Sequence, residues 1–202
     1  MRVGIDFDNT IVNYDQAFIT IAKEWNIIPK NTLLKTKLQL RNYLLNELKN
    51  EEKWMKLQGY IYGKGMSYAE LMPGFFEFLK KTYIKDIPIF VVSHKTEYGH
   101  FDEDKINLRQ VALQWIKNQG LFAKNSSLKQ NDIYFESTRI EKISRIKQLK
   151  CTHFIDDLPE VLLDEQFPME VKRYLFSSDS NNRNSNFSIC TNWEELQKVL
   201  LK

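Results

Sequence analysis

Five residues carry most of the chemistry open to this chain: Asp6 and Asp8, Ser93, and the adjacent pair Asp156 and Asp157. Each lies at the end of a short apolar run. Val3–Phe7 leads into Asp8-Asn9-Thr10, Ile87–Val92 into Ser93-His94-Lys95, and His153–Ile155 into Asp156-Asp157. A lysine, either Lys142 or Lys147, precedes the last pair by about one helix. Four carboxylates brought to one spot repel one another unless a cation or a lysine compensates them. A hard divalent ion such as Mg²⁺ suits an all-oxygen cluster, keeps some of its waters and takes substrate phosphate.

For these residues to meet, the apolar runs must be neighbouring strands. Val3–Phe7, Ile87–Val92, Ile133–Phe135, His153–Ile155 and Arg173–Phe176 read as strands of a parallel sheet buried on both faces, because they alternate with helical patterns. Pro73 marks a helix start carrying Phe75, Phe78 and Leu79. Leu108, Val111, Ala112 and Trp115 recur at i, i+3, i+4 and i+7, with Gly120 as the stop. Ile143, Ile146 and Leu149 form a third stripe, and Thr191 with Glu194 reads as a capping box before a last helix through Leu200. The carboxyl ends of parallel strands open on one edge of the sheet, where ligands commonly bind.

Composition limits the alternatives. At 202 residues the chain can bury about 70% of its unfolded surface, so no disulfide or metal staple is needed for a core. With 43% hydrophobic and 27% charged residues it is neither disordered nor fibrous. A net charge of +3 is too mild to argue for nucleic acid. No apolar run approaches the roughly 20 residues of a membrane span. Asp6 interrupts the place where a signal peptide would be apolar. Cys151 and Cys190 fit no metal spacing and read as small buried hydrophobes, so the expected setting is cytoplasmic.

Asp6-Phe7-Asp8-Asn9-Thr10, Ser93, Lys142 and Asp156-Asp157, in this order and at these elements, resemble the haloacid dehalogenase (HAD) superfamily of aspartate-dependent phosphotransferases and phosphatases. The resemblance covers residues 1–12 and about 73–176. It implies an α/β, Rossmann-like core with a central parallel sheet (residues 1–13 and 73–202) and a small helical cap (14–72) inserted after the first strand. It also implies a role for each residue. Asp6 is the nucleophile that forms an aspartyl-phosphate. Asp8 protonates the leaving oxygen and then activates water, with its backbone carbonyl on Mg²⁺. Thr10 fixes the loop through backbone groups and borders the phosphate, and Ser93 donates to a phosphoryl oxygen. Lys142, rather than Lys147, neutralises nucleophile and phosphate. Asp157 aligns best with the metal ligand and Asp156 with a partner oriented toward Lys142, although the reverse order fits the spacing equally well. The second aspartate favours phosphoryl transfer over carbon–halogen chemistry.

His94 and Lys95 follow Ser93 directly and are candidates for a second anionic group of the substrate, with Arg139 a further one. In the helical insertion, Lys35, Lys37, Arg41, Lys53, Lys56 and Lys64 either attract an anion or form a solvated surface. Trp54, Tyr60 and Tyr62 either stack on a base or sugar or pack the insertion's own core. His100 and Asp102–Asp104 fall in a loop, and 177–188 is a polar, Asn/Ser-rich loop. Ser93-His94-Lys95-Thr96, Thr138–Lys142 and Phe154–Glu160 resemble a bacterial branch found among surface-polysaccharide biosynthesis enzymes. The expected activity is hydrolysis of a small phosphorylated metabolite, such as a sugar phosphate or capsule precursor. A nucleotide phosphatase is the alternative, and a non-catalytic HAD-fold binding protein a further one, disfavoured because every acidic motif residue is present.

Overall fold

The computed structural model describes residues 1–99, 104–177 and 184–202. In chain order the regular elements are β1 (Val3–Ile5), β2 (Val12–Asn13), α1 (Asp15–Glu24), α2 (Lys37–Asn42), α3 (Glu51–Tyr62), β3 (Glu70–Leu71), α4 (Phe75–Ile84), β4 (Ile89–His94) and α5 (Leu108–Asn118). They continue with β5 (Ile133–Glu136), α6 (Arg139–Gln148), β6 (His153–Asp156), α7 (Pro159–Leu162), β7 (Lys172–Phe176), β8 (Ser188–Cys190) and α8 (Trp193–Leu200). His100 and Asp102 lie outside the described residues, as does part of the Asn/Ser-rich loop.

The chain divides into two units. The first comprises residues 1–12, 71–95 and 116–202, and the second 13–70 and 96–115. The first unit is built on a six-stranded sheet in the order β5-β4-β1-β6-β7-β8, and every pairing is parallel. From β1 the chain builds outward through β4 and β5, then returns to β6 on the other side of β1 and builds outward again. Such a reversal opens a crevice at the strand carboxyl ends. Asp6 follows β1, Asp156 ends β6, and Ser93 is the penultimate residue of β4, so the reversal itself brings the acidic motifs together.

Val3, Ile5, Val91, Val92, Phe154 and Ile155 are all fully buried, as continuous apolar strands of a covered parallel sheet must be. On one face Ile143 and Ile146 of α6 join Phe90, Val92, Phe154, Val161 and Leu175 in a single cluster. Elsewhere in the unit Trp193 of α8 packs against Phe75 and Phe78 of α4 and against Phe176. Gly4 is required by packing: a Cβ there would lie 2.5 Å from the ring of Phe154 on the neighbouring strand. Both cysteines are free and buried, and burial pushes each thiol up to about 11, which keeps them protonated and inert.

Three local readings change. Strand β8 lies partly within the stretch read as loop, since its pairing partner β7, not its own composition, makes it a strand. The last helix is capped by Asn192, which accepts from the Glu195 amide, one residue later than the expected Thr191–Glu194 box. Helix α4 starts at Phe75 behind Gly74 at φ 84°, with Pro73 before the cap rather than in the first turn.

In the second unit, α1 and α3 carry an aromatic core. Phe18 stacks on Trp54 with ring centroids 5.0 Å apart, and Tyr62 packs edge-on against Tyr14 and Phe18. Lys37 donates to the Tyr62 hydroxyl at 2.9 Å and lies 5.4–5.5 Å from the rings of Tyr14, Phe18 and Tyr62. Trp25 meets Tyr60. Trp54 and Tyr62 therefore serve this core, while Tyr60 packs on the exposed Trp25. Residues 96–115 join the same unit; Trp115 donates its indole N–H to the Ala69 carbonyl at 3.2 Å. Among the described residues no helix is long and apolar enough to cross a membrane.

Candidate active site

The site is assembled from the ends of β1, β4 and β6 and the first turns of α6, all within the first unit. Asp6 continues the β1 line, donating its amide to the Ile155 carbonyl at 2.9 Å. The chain then folds back on itself, with the Ile11 and Val12 amides both donating to the Phe7 carbonyl. Asn9, at φ 58°, makes the reversal.

Lys142 is the centre of the arrangement. Its side chain is 1% exposed, and its Nζ donates to Asp6 Oδ1 at 2.6 Å and to Asp156 Oδ2 at 2.6 Å. Helix α6 is set by a capping box: Thr138 accepts from the Glu141 amide, and Glu141 returns to the Thr138 amide. This start places Lys142 in the first turns, on the buried face with Ile143 and Ile146. Lys147, further along, is exposed. Lys142, and not Lys147, therefore reaches the carboxylates.

The electrostatics follow from burial. Desolvation pushes the Asp6 carboxyl up to about 7 against the lowering effect of Lys142, with Asp156 and Asp8 adding to the rise. Asp156 is raised for the same leading reason, opposed by Lys142. Burial alone would lower Lys142, but the charges and hydrogen bonds of Asp156 and Asp6 hold it above its usual range. The three groups share protons and charge as one system.

Asp156 is satisfied at both oxygens: Oδ2 accepts from Lys142, and Oδ1 from the Leu158 amide at 3.0 Å. Asp157 is half-buried, and its Oδ2 accepts from the Asn9 carboxamide at 2.8 Å. Asp6, Asp156 and Asp157 each offer an oxygen within 4.8 Å of the others'. The donor set is all carboxylate oxygen. Counting Asp6, Asp8, Asp156 and Asp157 against Lys95 and Lys142, the site carries a formal charge of −2. A hard divalent cation fits both the donors and the charge.

Ser93 is buried on β4, next to Phe135 of β5. Residues two apart on a strand share a face, so Lys95 follows the direction of Ser93 and His94 the opposite one. Lys95 is 4% exposed, and its Nζ lies 3.0 and 2.9 Å from the two oxygens of Asp8. Of the two residues after Ser93 that the sequence offers for a second anionic group, Lys95 is buried against Asp8 and His94 is exposed. The strand period starting from Ser93 is the signal that separates them.

Two other expectations change. The Thr10 hydroxyl is buried with no hydrogen-bond partner among the described residues, so it does not tie the loop; the Thr10 carbonyl does, accepting from the Trp193 indole at 2.9 Å. Arg139 lies 3.4 Å from Asp164, on the surface beside α7. Asn9, as a partner of Asp157, was not singled out by the sequence.

No protein-family model and no curated protein matches this sequence. Solved structures do. A HAD family hydrolase from Deinococcus radiodurans R1, solved with bound phosphate and sodium, is 12% identical over 98% of this chain and 94% of its own, with a TM-score of 0.57. A HAD-superfamily hydrolase of subfamily IA from Geobacter sulfurreducens is 13% identical over 99% and 96%, with a TM-score of 0.57. Protein Tyrosine Kinase A of Mycobacterium tuberculosis is 15% identical over 98% and 96%, with a TM-score of 0.63. At such identities the likeness speaks for the fold alone. With its sheet order, its acidic strand ends and this whole-chain likeness, the chain has the fold of the haloacid dehalogenase superfamily.

Proposed function

We propose that this protein is a Mg²⁺-dependent phosphatase that hydrolyses a small phosphomonoester through an aspartyl-phosphate on Asp6. The observation that carries the reading is the buried Lys142 ammonium, 2.6 Å from both Asp6 and Asp156 at the carboxyl ends of two adjacent strands. A carboxylate fixed against a lysine at the mouth of a parallel sheet is positioned for in-line attack on an anionic phosphoryl group.

Asp6 would attack phosphorus while the bond to the leaving oxygen breaks, and Asp8, in its protonated form, would give that oxygen its proton and be left as the carboxylate. Water would then attack the phosphorus of the acyl phosphate, with Asp8 taking a proton from it and Asp6 leaving as carboxylate. Lys142 and the Ser93 hydroxyl would hold the phosphoryl oxygens, and Lys95 would hold Asp8. Mg²⁺, when bound, supplies neutralisation of the phosphoryl charge. Asp6 and Asp157 are its side-chain ligands in this reading, with the Asp8 backbone carbonyl a third. Asp156, already engaged by Lys142 and the Leu158 amide, would stand behind them.

The substrate class we favour is a small phosphorylated metabolite, with sugar phosphates and surface-polysaccharide precursors first among them, in a cytoplasmic setting. Trp54, Tyr60 and Tyr62, which a nucleotide phosphatase could use for stacking, pack on aromatic neighbours instead. The test is phosphate release from sugar phosphates, amino-alcohol phosphates and nucleotides, with Mg²⁺, with a chelator, and with Asp6→Asn. We expect Mg²⁺-dependent turnover that Asp6→Asn abolishes. Turnover that survives this substitution would remove Asp6 from the nucleophile's role.

A further inference from the structure

Asn9 adopts a backbone conformation that a side chain ordinarily avoids. Six non-glycine residues among those described have positive φ. Asn26, Lys49, Asp86 and Lys150 each lie two residues beyond the end of a helical segment, where a left-handed residue is the ordinary stop. Asn9 follows a strand, at φ 58°, inside the reversal that carries Asp6 and Asp8. Glycine would adopt this conformation at the least steric cost, and asparagine is among the few other residues that tolerate it.

What asparagine adds over glycine is the carboxamide. Its Nδ2 donates to Asp157 Oδ2 at 2.8 Å, joining the loop after β1 to the loop after β6 across 148 positions of sequence. Asp157 is one of the three carboxylates whose oxygens approach within 4.8 Å. A hydrogen bond on one oxygen fixes the rotation of the carboxylate, and hence where its lone pairs point. Partners of this kind orient ligands and tune metal affinity. The donor is also uncharged, so it orients the carboxylate without adding positive charge beside the cation.

We infer that Asn9 is a positioning residue for the divalent cation, holding the Asp157 carboxylate in the orientation in which it coordinates. The inference rests on the metal-dependent reading of the site. Its test is cation binding without substrate or turnover: calorimetric titration of the metal-free protein with Mg²⁺, and electron paramagnetic resonance of bound Mn²⁺. The proteins are the wild type, Asn9→Gly and Asp157→Asn.

Glycine suits φ 58° and lacks the carboxamide, so the metal-free Asn9→Gly protein should stay folded and melt within a few degrees of the wild type while binding either cation about 10- to 100-fold more weakly. Wild-type binding with Asn9→Gly within twofold of it would overturn the inference and leave the metal reading intact. No binding to the wild type at millimolar Mg²⁺ or Mn²⁺ would overturn both. A second measurement needs no variant: the Asn9 side-chain amide resonance should move on Mg²⁺ addition as its acceptor becomes a ligand. A resonance that stays still while calorimetry records binding would also overturn the inference.

Discussion

Replacing Lys142 with Met should expose how the acidic site is balanced. Methionine keeps much of the volume of the lysine stem, so the change is chiefly the loss of an ammonium that is 1% exposed. Removing one partner of a buried ion pair costs about 3–5 kcal/mol. One ammonium here serves two buried carboxylates, which puts the expected loss at the upper end, about 4–5 kcal/mol at pH 8 without metal. The variant can escape part of this cost by taking up protons. Asp6 is already raised to about 7 by burial, and Lys142 is the strongest opposing influence on it. Without that lysine Asp6 rises further, and Asp156 with it.

The sign of the pH dependence follows. A carboxyl whose folded pKa is raised contributes stability that is fully present below its unfolded value, 3.8 for Asp6, and lost as pH climbs through the folded value. The variant holds its protons to higher pH than the wild type, so the gap between them is narrow near pH 5 and wide at pH 8. Each additional proton the variant retains changes the gap by about 1.4 kcal/mol per pH unit. Lys142 itself is raised above 10.5, so its own contribution is present throughout this window. Urea unfolding in a chelator at pH 5 and pH 8 measures both gaps. We expect the pH 8 gap to shrink by at least half at pH 5, and the double variant with Asp156→Asn to recover part of the loss. A gap equal at both pH values, or below about 1 kcal/mol at pH 8, would refute the claim that two buried carboxylates depend on this ammonium.

Three further outcomes are expected. Lys95→Met should lower kcat about 10- to 100-fold, the scale of losing charge-assisted hydrogen bonds of about 1.5–3 kcal/mol to Asp8, whereas His94→Ala should stay within about twofold; steady-state kinetics on one substrate separates them, and equal losses would contradict the strand-face assignment. Mg²⁺ at about a hundred times its Kd at pH 8 should stabilise the protein by about 2.7 kcal/mol, and the same concentration should stabilise it less at pH 6 because protons compete for Asp6; thermal melts should show the shift vanish in Asp157→Asn. Gly4→Ala should cost about 1–3 kcal/mol or more, since the new Cβ meets Phe154 at 2.5 Å and Cys151 Sγ at 3.0 Å; an unchanged urea midpoint would show that the β1–β6 packing can relax.

The parts of this molecule that could be read in sequence are those whose cause is local. Strands β1, β4, β5, β6 and β7 are apolar runs ended by polar residues, and the parallel sheet follows from their alternation with helices. Lys142 is preferred to Lys147 in the sequence by its place at the helix start, as the resemblance implies, and the Thr138–Glu141 capping box supplies the physical cause by fixing where α6 begins. Strand β8 could not be found this way: Ser188–Cys190 has no pattern of its own and owes its conformation to β7. The joining of residues 96–115 to the second unit is likewise a matter of distant contacts. Lys95 is a different case. It stands beside His94 as a candidate in the sequence, and the two-residue period from Ser93 is what separates them.

The charges at the site sort its four aspartates by what each can do. Lys142 binds Asp6 and Asp156 together and opposes the rise that burial imposes on the Asp6 carboxyl. Lys95 lies against both oxygens of Asp8, to which the proposed reaction gives the proton transfers. A third lysine against Asp157 would neutralise the formal charge of −2 further and repel the cation that the remaining charge attracts. The chain instead sets the neutral carboxamide of Asn9 there, at a backbone angle that glycine would adopt more readily. The residue at that position therefore follows the electrostatics of the site ahead of backbone ease, and its neutrality, more than its size, is what an Asn9→Lys substitution would take away.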